Sequence, residues 1–310
     1  MAKQQTYTAL IIEPRAFGFN EEASSYNHFQ QQNESLKTEL AEEAHQEVTE
    51  LAALLRERGI RVIQVQDDES QNTPSSVFPA SWISFHEDSR ITAFPLKASN
   101  RKAERRGNIL SVIVDNGYPI YDILDISAHE NDGKYLHGME SVVIDRNTNT
   151  AYCALSSVSD KDVFHEFCSH FGYLPVGFHG VYPSGETNQK VELTNQLLLI
   201  AQQYAIVCLD AITDIHEKET VKNSLLAGGK KLIEISTEQM LNFAASGVQM
   251  WSEKGVSLLF ISETGFNSLS DEQKTALQSY NEVVNVHIPT IERIGGASVS
   301  SVIAPVFLPQ

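Results

Sequence analysis

The chain has 310 residues, of which 42% are hydrophobic and 20% are charged. That length and composition suit a packed core, in one large domain or two ordinary ones. The formal net charge of −17 argues against nucleic acid or an anionic membrane surface as a partner, because both require basic patches. No apolar run is long enough for a signal peptide or a bilayer span, so we expect a cytoplasmic protein.

The first elements are a helix and three extended segments. Residues 33–58 predict the clearest helix, since apolar residues recur at helical spacing from Leu36 to Leu55 and Gly59 follows as a stop. The segment 60–66 ("IRVIQVQ") predicts a strand, and segments 76–86 and 89–97 predict two more extended stretches.

The same order of elements then returns along the chain. Segments 119–127 and 140–156 predict strands, the second with a turn at Asn147–Asn149, and segment 159–173 predicts an amphipathic helix. The remaining predicted strands lie in segments 174–182, 191–210, 230–236, 248–262 and 284–291, with helices in 237–246 and 270–281.

Five starts of this cycle occur at intervals of roughly 45–60 residues, which is typical of a repeat architecture. We therefore predict an α/β fold with pseudo-fivefold strand–strand–helix–strand repeats, closed into a five-bladed α/β propeller. The chain has no convincing linker, which favours a single domain over residues 1–310. The alternative is an ordinary two-domain α/β protein.

The common catalytic and cofactor motifs are missing. His165 and His170 in "HEFCSH" are five residues apart, so on a helix their side chains diverge by about 140° and do not share a metal. We find no Gly-rich phosphate loop and no GxSxG elbow, and we expect neither a metal nor a cofactor. Cys153, Cys168 and Cys208 form no CxxC pair, and buried structural thiols are the expected outcome.

The C-terminal segment 291–310 ("IERIGGASVSSVIAPVFLPQ") interrupts a predicted strand with Gly295 and Gly296. Glycine pairs allow positive φ or a close approach to the backbone, and they often accompany a site. Ser300 and Ser301 follow, but no neighbouring residue in the sequence supplies the base that a serine nucleophile needs. A base from another repeat remains an open alternative.

Several segments in order resemble the amidinotransferase, or pentein, superfamily, which includes arginine deiminases, dimethylarginine hydrolases and arginine:glycine amidinotransferases. Within it, the chain looks most like the bacterial citrulline-hydrolase and arginine-deiminase-related proteins. The segments that carry the resemblance are 13–30, 73–86, 94–106, 141–146, 194–199, 205–212 and 288–301. The resemblance runs from about Glu13 to Pro309 and implies a five-bladed propeller with a central cleft.

The resemblance also implies a reaction. In active relatives a cysteine near the C-terminus attacks a guanidinium or ureido carbon, a histidine transfers protons, and acidic residues hold the substrate nitrogens. The positions that match this site carry other residues: Ser301 for the cysteine, Leu193 for the histidine, and Ser75 and His137 for two acids. Ala80 and Ser81 replace paired asparagines, and Glu13 replaces an arginine.

Two functional hypotheses follow from these replacements. The first is a pseudoenzyme that has lost thiol catalysis and keeps a central cavity for a small polar or amino-acid-like ligand. The residues expected to line that cavity are Phe19, Asn20, Ser75, Ser81, His137 and Ser301. The alternative is a hydrolase of arginine- or citrulline-type C–N bonds. It would act through Ser301 or Ser300 with His137 as base and Glu140 as its orienting partner, or through residues assigned differently. The sequence leaves the oligomeric state open.

Overall fold

The computed structural model of the protein describes residues 4–32, 36–68, 70–184 and 187–310. The strands are β1 Thr8–Glu13, β2 Arg61–Gln66, β3 Ile83–Phe85, β4 Arg90–Ala93, β5 Asp122–Asp125, β6 Val143–Asp145, β7 Thr150–Ala154, β8 Leu174–Phe178, β9 Val181–Ser184, β10 Thr187–Lys190, β11 Leu198–Ile200, β12 Tyr204–Val207, β13 Lys231–Glu234, β14 Val248–Trp251, β15 Ser257–Ser262, β16 Glu282–Val286 and β17 Ala304–Pro305. The helices are α1 Lys37–Glu57, α2 Gly107–Asp115, α3 Gly138–Ser141, α4 Lys161–Phe171, α5 Ile215–Ala227, α6 Thr237–Leu241, α7 Glu263–Ser268, α8 Asp271–Tyr280 and α9 Val299–Val302.

Five three-stranded sheets share one topology. Their strand orders are β17-β1-β2, β3-β4-β5, β6-β7-β8, β11-β12-β13 and β14-β15-β16. In each sheet the first pair is antiparallel and the second pair is parallel. A parallel pair needs a crossover connection, and helices α1, α2, α4, α5 and α8 lie in the five crossovers. The predicted mixed α/β fold is therefore confirmed.

The crossover helices pack their apolar faces on the sheets. In α4 the buried residues Val163, Phe164, Phe167 and Cys168 recur at helical spacing, and the Asp160 side chain caps the helix by accepting the N–H groups of residues 162 and 163. Helix α5 has only Val221 and Leu225 buried, so its sequence carries a narrow apolar stripe. That narrow stripe explains why the sequence pattern did not predict α5.

A buried ion pair joins two of the sheets. The Lys230 ammonium lies 3.1 Å from Asp145 Oδ1 and donates to the carbonyl oxygens of Ala201 and Gln202 at 2.9 and 3.2 Å. Both charged side chains are fully enclosed. The pair links the last residue of β6 to the residue before β13, so it fixes two neighbouring repeats against each other.

The C-terminal tail is not the strand that its sequence suggests. Residues Ile291–Gly295 form a π-helical turn, α9 follows, and only β17 is extended. The Glu47 carboxylate of α1 accepts the N–H groups of Thr290 and Ile291 at 2.7 and 2.9 Å, which caps this turn. β17 then pairs with β1, so the two ends of the chain meet in one sheet.

Two other expectations bear on the fold. The N-terminal end of the helix predicted over 33–58 falls partly outside the described residues, and α1 begins at Lys37. Within the described residues, none of the helices combines the length and the apolar character needed to cross a membrane.

Candidate functional site

Four short helical segments bring the predicted site positions together. Helix α3, which follows His137, contacts the 3-10 turn Pro79–Ser81, the 3-10 turn Thr194–Gln196 and helix α9. The close contact with the first of these turns requires glycine. Gly138 has φ +41°, and a Cβ there would lie 2.4 Å from the Ala80 carbonyl oxygen. The family positions therefore converge although they are far apart in the sequence.

The space between them is almost filled. Ser75, His137, Glu140 and Leu193 line a cavity of about 10 Å³, together with Tyr26 and neighbouring residues. A single buried water needs about 10–15 Å³ of such space, so the site leaves no room for a ligand in this arrangement.

An apolar cluster fills the site. Tyr26, Ala23, Ala98, Val158 and Leu193 pack together, and each is at least 96% buried. The Tyr26 ring packs edge-to-face on the His137 imidazole, with the ring centroids 5.2 Å apart and the ring planes at 87°. The sequence signal for Tyr26 is weak, since Tyr26 and Phe29 are isolated aromatic residues in the polar segment "NEEASSYNHFQ".

His137 is enclosed and neutral. Its Nε2 accepts the backbone N–H of Lys97 at 3.2 Å, so the proton lies on Nδ1, and Nδ1 has no hydrogen-bond partner. Burial lowers the pKa of His137 well below its ordinary value, and the charges of Arg101 and Lys97 lower it further. Glu140 does not orient the imidazole, because neither ring nitrogen bonds to it.

The hydroxyls of Ser300 and Ser301 in α9 accept hydrogen bonds from a side-chain amide and do not bond to a base among the described residues. Asn195 Nδ2 donates to Ser300 Oγ at 3.0 Å and to Ser301 Oγ at 3.2 Å. Neither hydroxyl bonds to His137, whose ring nitrogens are accounted for above. The alternative Ser301–His137 pair is therefore not assembled here. Sequence reasoning missed Asn195, although it lies in the retained "TN" pair after Leu193.

The other predicted ligand-binding residues are also engaged within the protein. Asn20 Nδ2 donates to Ser75 Oγ at 3.0 Å, and the Arg101 guanidinium donates to Ser81 Oγ at 2.8 Å. Phe19 is half-buried and packs on the core around Phe17. Of these predicted residues only Ser75 lines the small cavity, and the hydroxyls of Ser75 and Ser81 already accept hydrogen bonds from protein side chains.

A buried ion pair lies beside the cavity. Arg101 bonds to Glu104 through Nε–Oε1 at 3.0 Å and Nη2–Oε2 at 3.1 Å, with the two side chains 5% and 1% exposed. Burial raises the pKa of Glu104 to about 7 against the opposing effect of Arg101. The arginine is thus committed to a carboxylate and to the turn at Ser81, which agrees with a structural role for the segment 100–106.

The cysteines lie elsewhere and are inert. All three are buried free thiols. Burial raises the pKa of Cys168 to about 12 and raises the pKa values of Cys153 and Cys208 as well. The prediction of buried structural thiols is confirmed.

Comparison with known proteins agrees with this picture of the fold. A model of the eukaryotic N,N-dimethylarginine dimethylhydrolase family matches residues 13–308. The fold is that of the amidinotransferase, or pentein, superfamily, and the chain belongs to the N,N-dimethylarginine dimethylhydrolase family. A search of the curated proteins finds no match.

The similar solved structures are distant in sequence. ArgZ, an arginine dihydrolase from the ornithine–ammonia cycle in cyanobacteria, is 13% identical with a TM-score of 0.72, over 97% of this chain and 41% of that chain. This chain therefore spans about two fifths of ArgZ. The substrate-bound N-terminal domain of ArgZ matches with 13% identity and a TM-score of 0.71, over 96% and 97% of the two chains. A dimethylarginine dimethylaminohydrolase adduct with S-methyl-L-thiocitrulline is 13% identical with a TM-score of 0.65, over 98% and 100%.

Two substitutions of Tyr26 separate the contribution of its ring to stability from the contribution of its hydroxyl. We expect Tyr26→Ala to lower the free energy of unfolding by about 3–5 kcal/mol, because it empties a buried aromatic site. Tyr26→Phe should change it by less than about 1 kcal/mol, because the buried Oη forms no well-aligned hydrogen bond with a described residue, although the Arg101 guanidinium is nearby. Urea denaturation measures both, with the 79% exposed Tyr121→Ala as control. A large loss in Tyr26→Phe would contradict the assignment.

The buried imidazoles should make stability depend on pH. His137 and His86 both have a pKa lowered chiefly by burial, so the unfolded chain takes up their protons first as the pH falls below about 6.5. The free energy of unfolding is therefore highest above that pH. Below it, the free energy of unfolding falls by up to about 1.4 kcal/mol per pH unit for each histidine. We expect His137→Gln to reduce this slope between pH 6.5 and 5, measured by urea denaturation.

The matched control is His216→Gln, since His216 is exposed. An unchanged slope in a folded His137→Gln variant would show that His137 titrates alike in the folded and unfolded chain. Carboxylates that lie away from the substituted histidine contribute equally to the variant and to the wild type, so their contribution cancels in each comparison.

Proposed function

We propose that this chain is a non-catalytic member of its family, in which the site of the thiol reaction is closed by Tyr26 and Leu193. The observation that carries this proposal is the cavity of about 10 Å³ at the matching positions. A substrate has no space to bind beside His137 while the apolar cluster is in place.

The side chains support the same conclusion. The family reaction needs a thiolate, a proton shuttle and carboxylates that anchor a cationic group. Ser301 lacks a base, Leu193 does not transfer protons, and Ser75 carries no charge. A guanidinium ion in a closed cavity needs a paired charge. Glu104 is already paired with Arg101, which leaves Glu140 as the one described carboxylate in the lining.

We also propose that the five sheets close into a five-bladed propeller. A second cavity, of about 140 Å³, is lined by residues from the first strand of every sheet: Ile83 of β3, Ile144 of β6, Leu199 of β11, Val248 of β14 and Ala304 of β17. A cavity common to five sheets of equal topology supports an arrangement around one axis. The three buried free thiols fit the cytoplasmic location expected from the sequence.

Any ligand of the closed site has to displace the segment that carries Tyr26. The hydroxyl of Ser75 would then face an opened cavity beside the neutral His137. Such surroundings suit a small uncharged polar ligand, for instance one with a ureido group, better than a cation.

The alternative is a hydrolase of guanidino or ureido compounds, and membership of the family favours it. It requires that Tyr26 moves away and that Ser301 or Ser300 gains His137 as a base. A variant that destroys this pair while the protein stays folded separates the two functions.

We expect the purified protein to release no ammonia or dimethylamine above the buffer rate from L-arginine, L-citrulline, agmatine or N,N-dimethylarginine. Wild type, Ser301→Ala and His137→Ala should be indistinguishable in this assay, because none of them has an activated nucleophile. Turnover by the wild type that disappears in Ser301→Ala or His137→Ala would establish the hydrolase. Turnover that survives both substitutions would place catalysis on other residues, and it would equally contradict the proposal.

A further inference from the structure

The second cavity has a chemistry of its own. It is mostly apolar, and Arg146 is the only charged residue among the described residues that line it. Its volume of about 140 Å³ is large enough for several water molecules or a small organic ligand. Ser300 lines this cavity, whereas Tyr26 lines the closed family site. This cavity therefore differs from the closed family site in size, in charge and in lining.

The guanidinium of Arg146 is poorly compensated. The residue is 8% exposed, and its two side-chain hydrogen bonds, to Tyr173 Oη and to the Phe85 carbonyl oxygen, are both 3.5 Å long. The guanidinium carbon lies 3.7 Å from the centroid of the Phe307 ring. In the described part of the chain no carboxylate forms an ion pair with it, and Glu87 and Asp88 act only from a greater distance.

A charge in this position favours an anionic partner. Burial, the largest influence, lowers the pKa of Arg146, which shows that the surroundings disfavour the isolated cation. The other buried arginine described above, Arg101, has a carboxylate at 3.0 Å. A carboxylate can accept two parallel hydrogen bonds from the planar guanidinium, and the low dielectric of the cavity strengthens both hydrogen bonds.

The remaining polar side chains of the cavity are already paired. Gln4 donates to the Ile144 and Ile200 carbonyl oxygens at 2.9 and 3.0 Å, and Gln249 accepts the N–H of Gln202 at 2.7 Å. Ser84 Oγ bonds to His86 Nε2 at 2.9 Å, and Asn195 Nδ2 donates to Ser300 Oγ at 3.0 Å. Among the described lining residues, the Arg146 guanidinium and the apolar wall are therefore the groups that remain to bind a ligand. Gln4 and Phe307 also line an outer groove, so they form the partition between the cavity and that groove.

We propose that the cavity between the five sheets binds a small aliphatic carboxylate, with the carboxylate on Arg146 and the alkyl chain against the inner strands. The proposal does not depend on whether the family site is catalytic, because Arg146 is not among the residues that line that site. Asn195 and Ser300, which bond to each other beside the family site, lie in the wall of this cavity and are not part of the proposed carboxylate contact.

The test uses butyrate and butyramide, which have the same shape and differ in charge. Butyrate should raise the midpoint of thermal unfolding of the full chain in a saturable manner at constant ionic strength, with sodium chloride as the balancing salt. Butyramide should bind at least tenfold more weakly in calorimetry. Arg146→Gln should weaken butyrate binding at least tenfold, to the level of butyramide.

Two further variants keep the test decisive if Arg146→Gln does not fold. Ala245→Leu narrows the cavity while it keeps Arg146, and it should weaken butyrate binding. Arg90→Gln is the matched control, since Arg90 also covers a phenylalanine ring, at 4.3 Å from Phe171, but does not line the cavity. It should bind butyrate as the wild type does.

Three results would overturn the proposal. They are a butyrate effect no larger than that of sodium chloride, equal binding of butyramide and butyrate, and butyrate binding that is unchanged in Ala245→Leu or in folded Arg146→Gln.

Discussion

The contact of Tyr26 with His137 determines the properties of the whole candidate site. The ring excludes water from the imidazole and completes an apolar cluster with Leu193. In that dry environment the charged form of His137 is disfavoured, and its remaining hydrogen bond is to a backbone N–H. The same packing reduces the cavity to about 10 Å³. The small size of the cavity and the lowered pKa of His137 therefore have one physical cause.

The glycine pair of the tail makes this contact possible. A Cβ on Gly295 would lie 2.5 Å from Phe78 Cζ, and one on Gly296, which has φ +66°, would lie 2.5 Å from the backbone nitrogen of Gln30. Asn27 donates to the Gly295 carbonyl oxygen at 2.9 Å. The segment that carries Tyr26 thus docks directly on the tail. The glycines that marked a possible reaction centre in the sequence have a steric role in holding this segment against the site.

The sequence pattern predicted those elements whose conformation depends on neighbouring residues in the chain. The helix around Phe164 and Phe167, the turn between β6 and β7, and the buried thiols followed from periodicity, turn residues and apolar context. The convergence of Ser75, His137, Leu193 and Ser301 was expected only through the family resemblance. The position of Tyr26 was not predicted, because it depends on contacts with residues more than 100 positions away. The tail was assigned wrongly because its conformation depends on the distant carboxylate of Glu47.

The molecule thus has two inner spaces with opposite properties. The family site is nearly filled by packed side chains, whereas the cavity at Arg146 has room for a ligand and holds a cation that forms no ion pair with a described residue. In both, the balance between burial and pairing of polar groups decides what can bind.

The most direct test of the closed family site is the NMR titration of His137 in protein labelled with ¹⁵N-histidine, with the resonance assigned through His137→Asn. We expect the imidazole to stay neutral from pH 8 to pH 5 and to show no chemical-shift change with millimolar L-arginine, L-citrulline or N,N-dimethylarginine. Protonation near the ordinary histidine pKa, together with a shift on addition of any of these compounds, would show an open, hydrated site and would contradict the account.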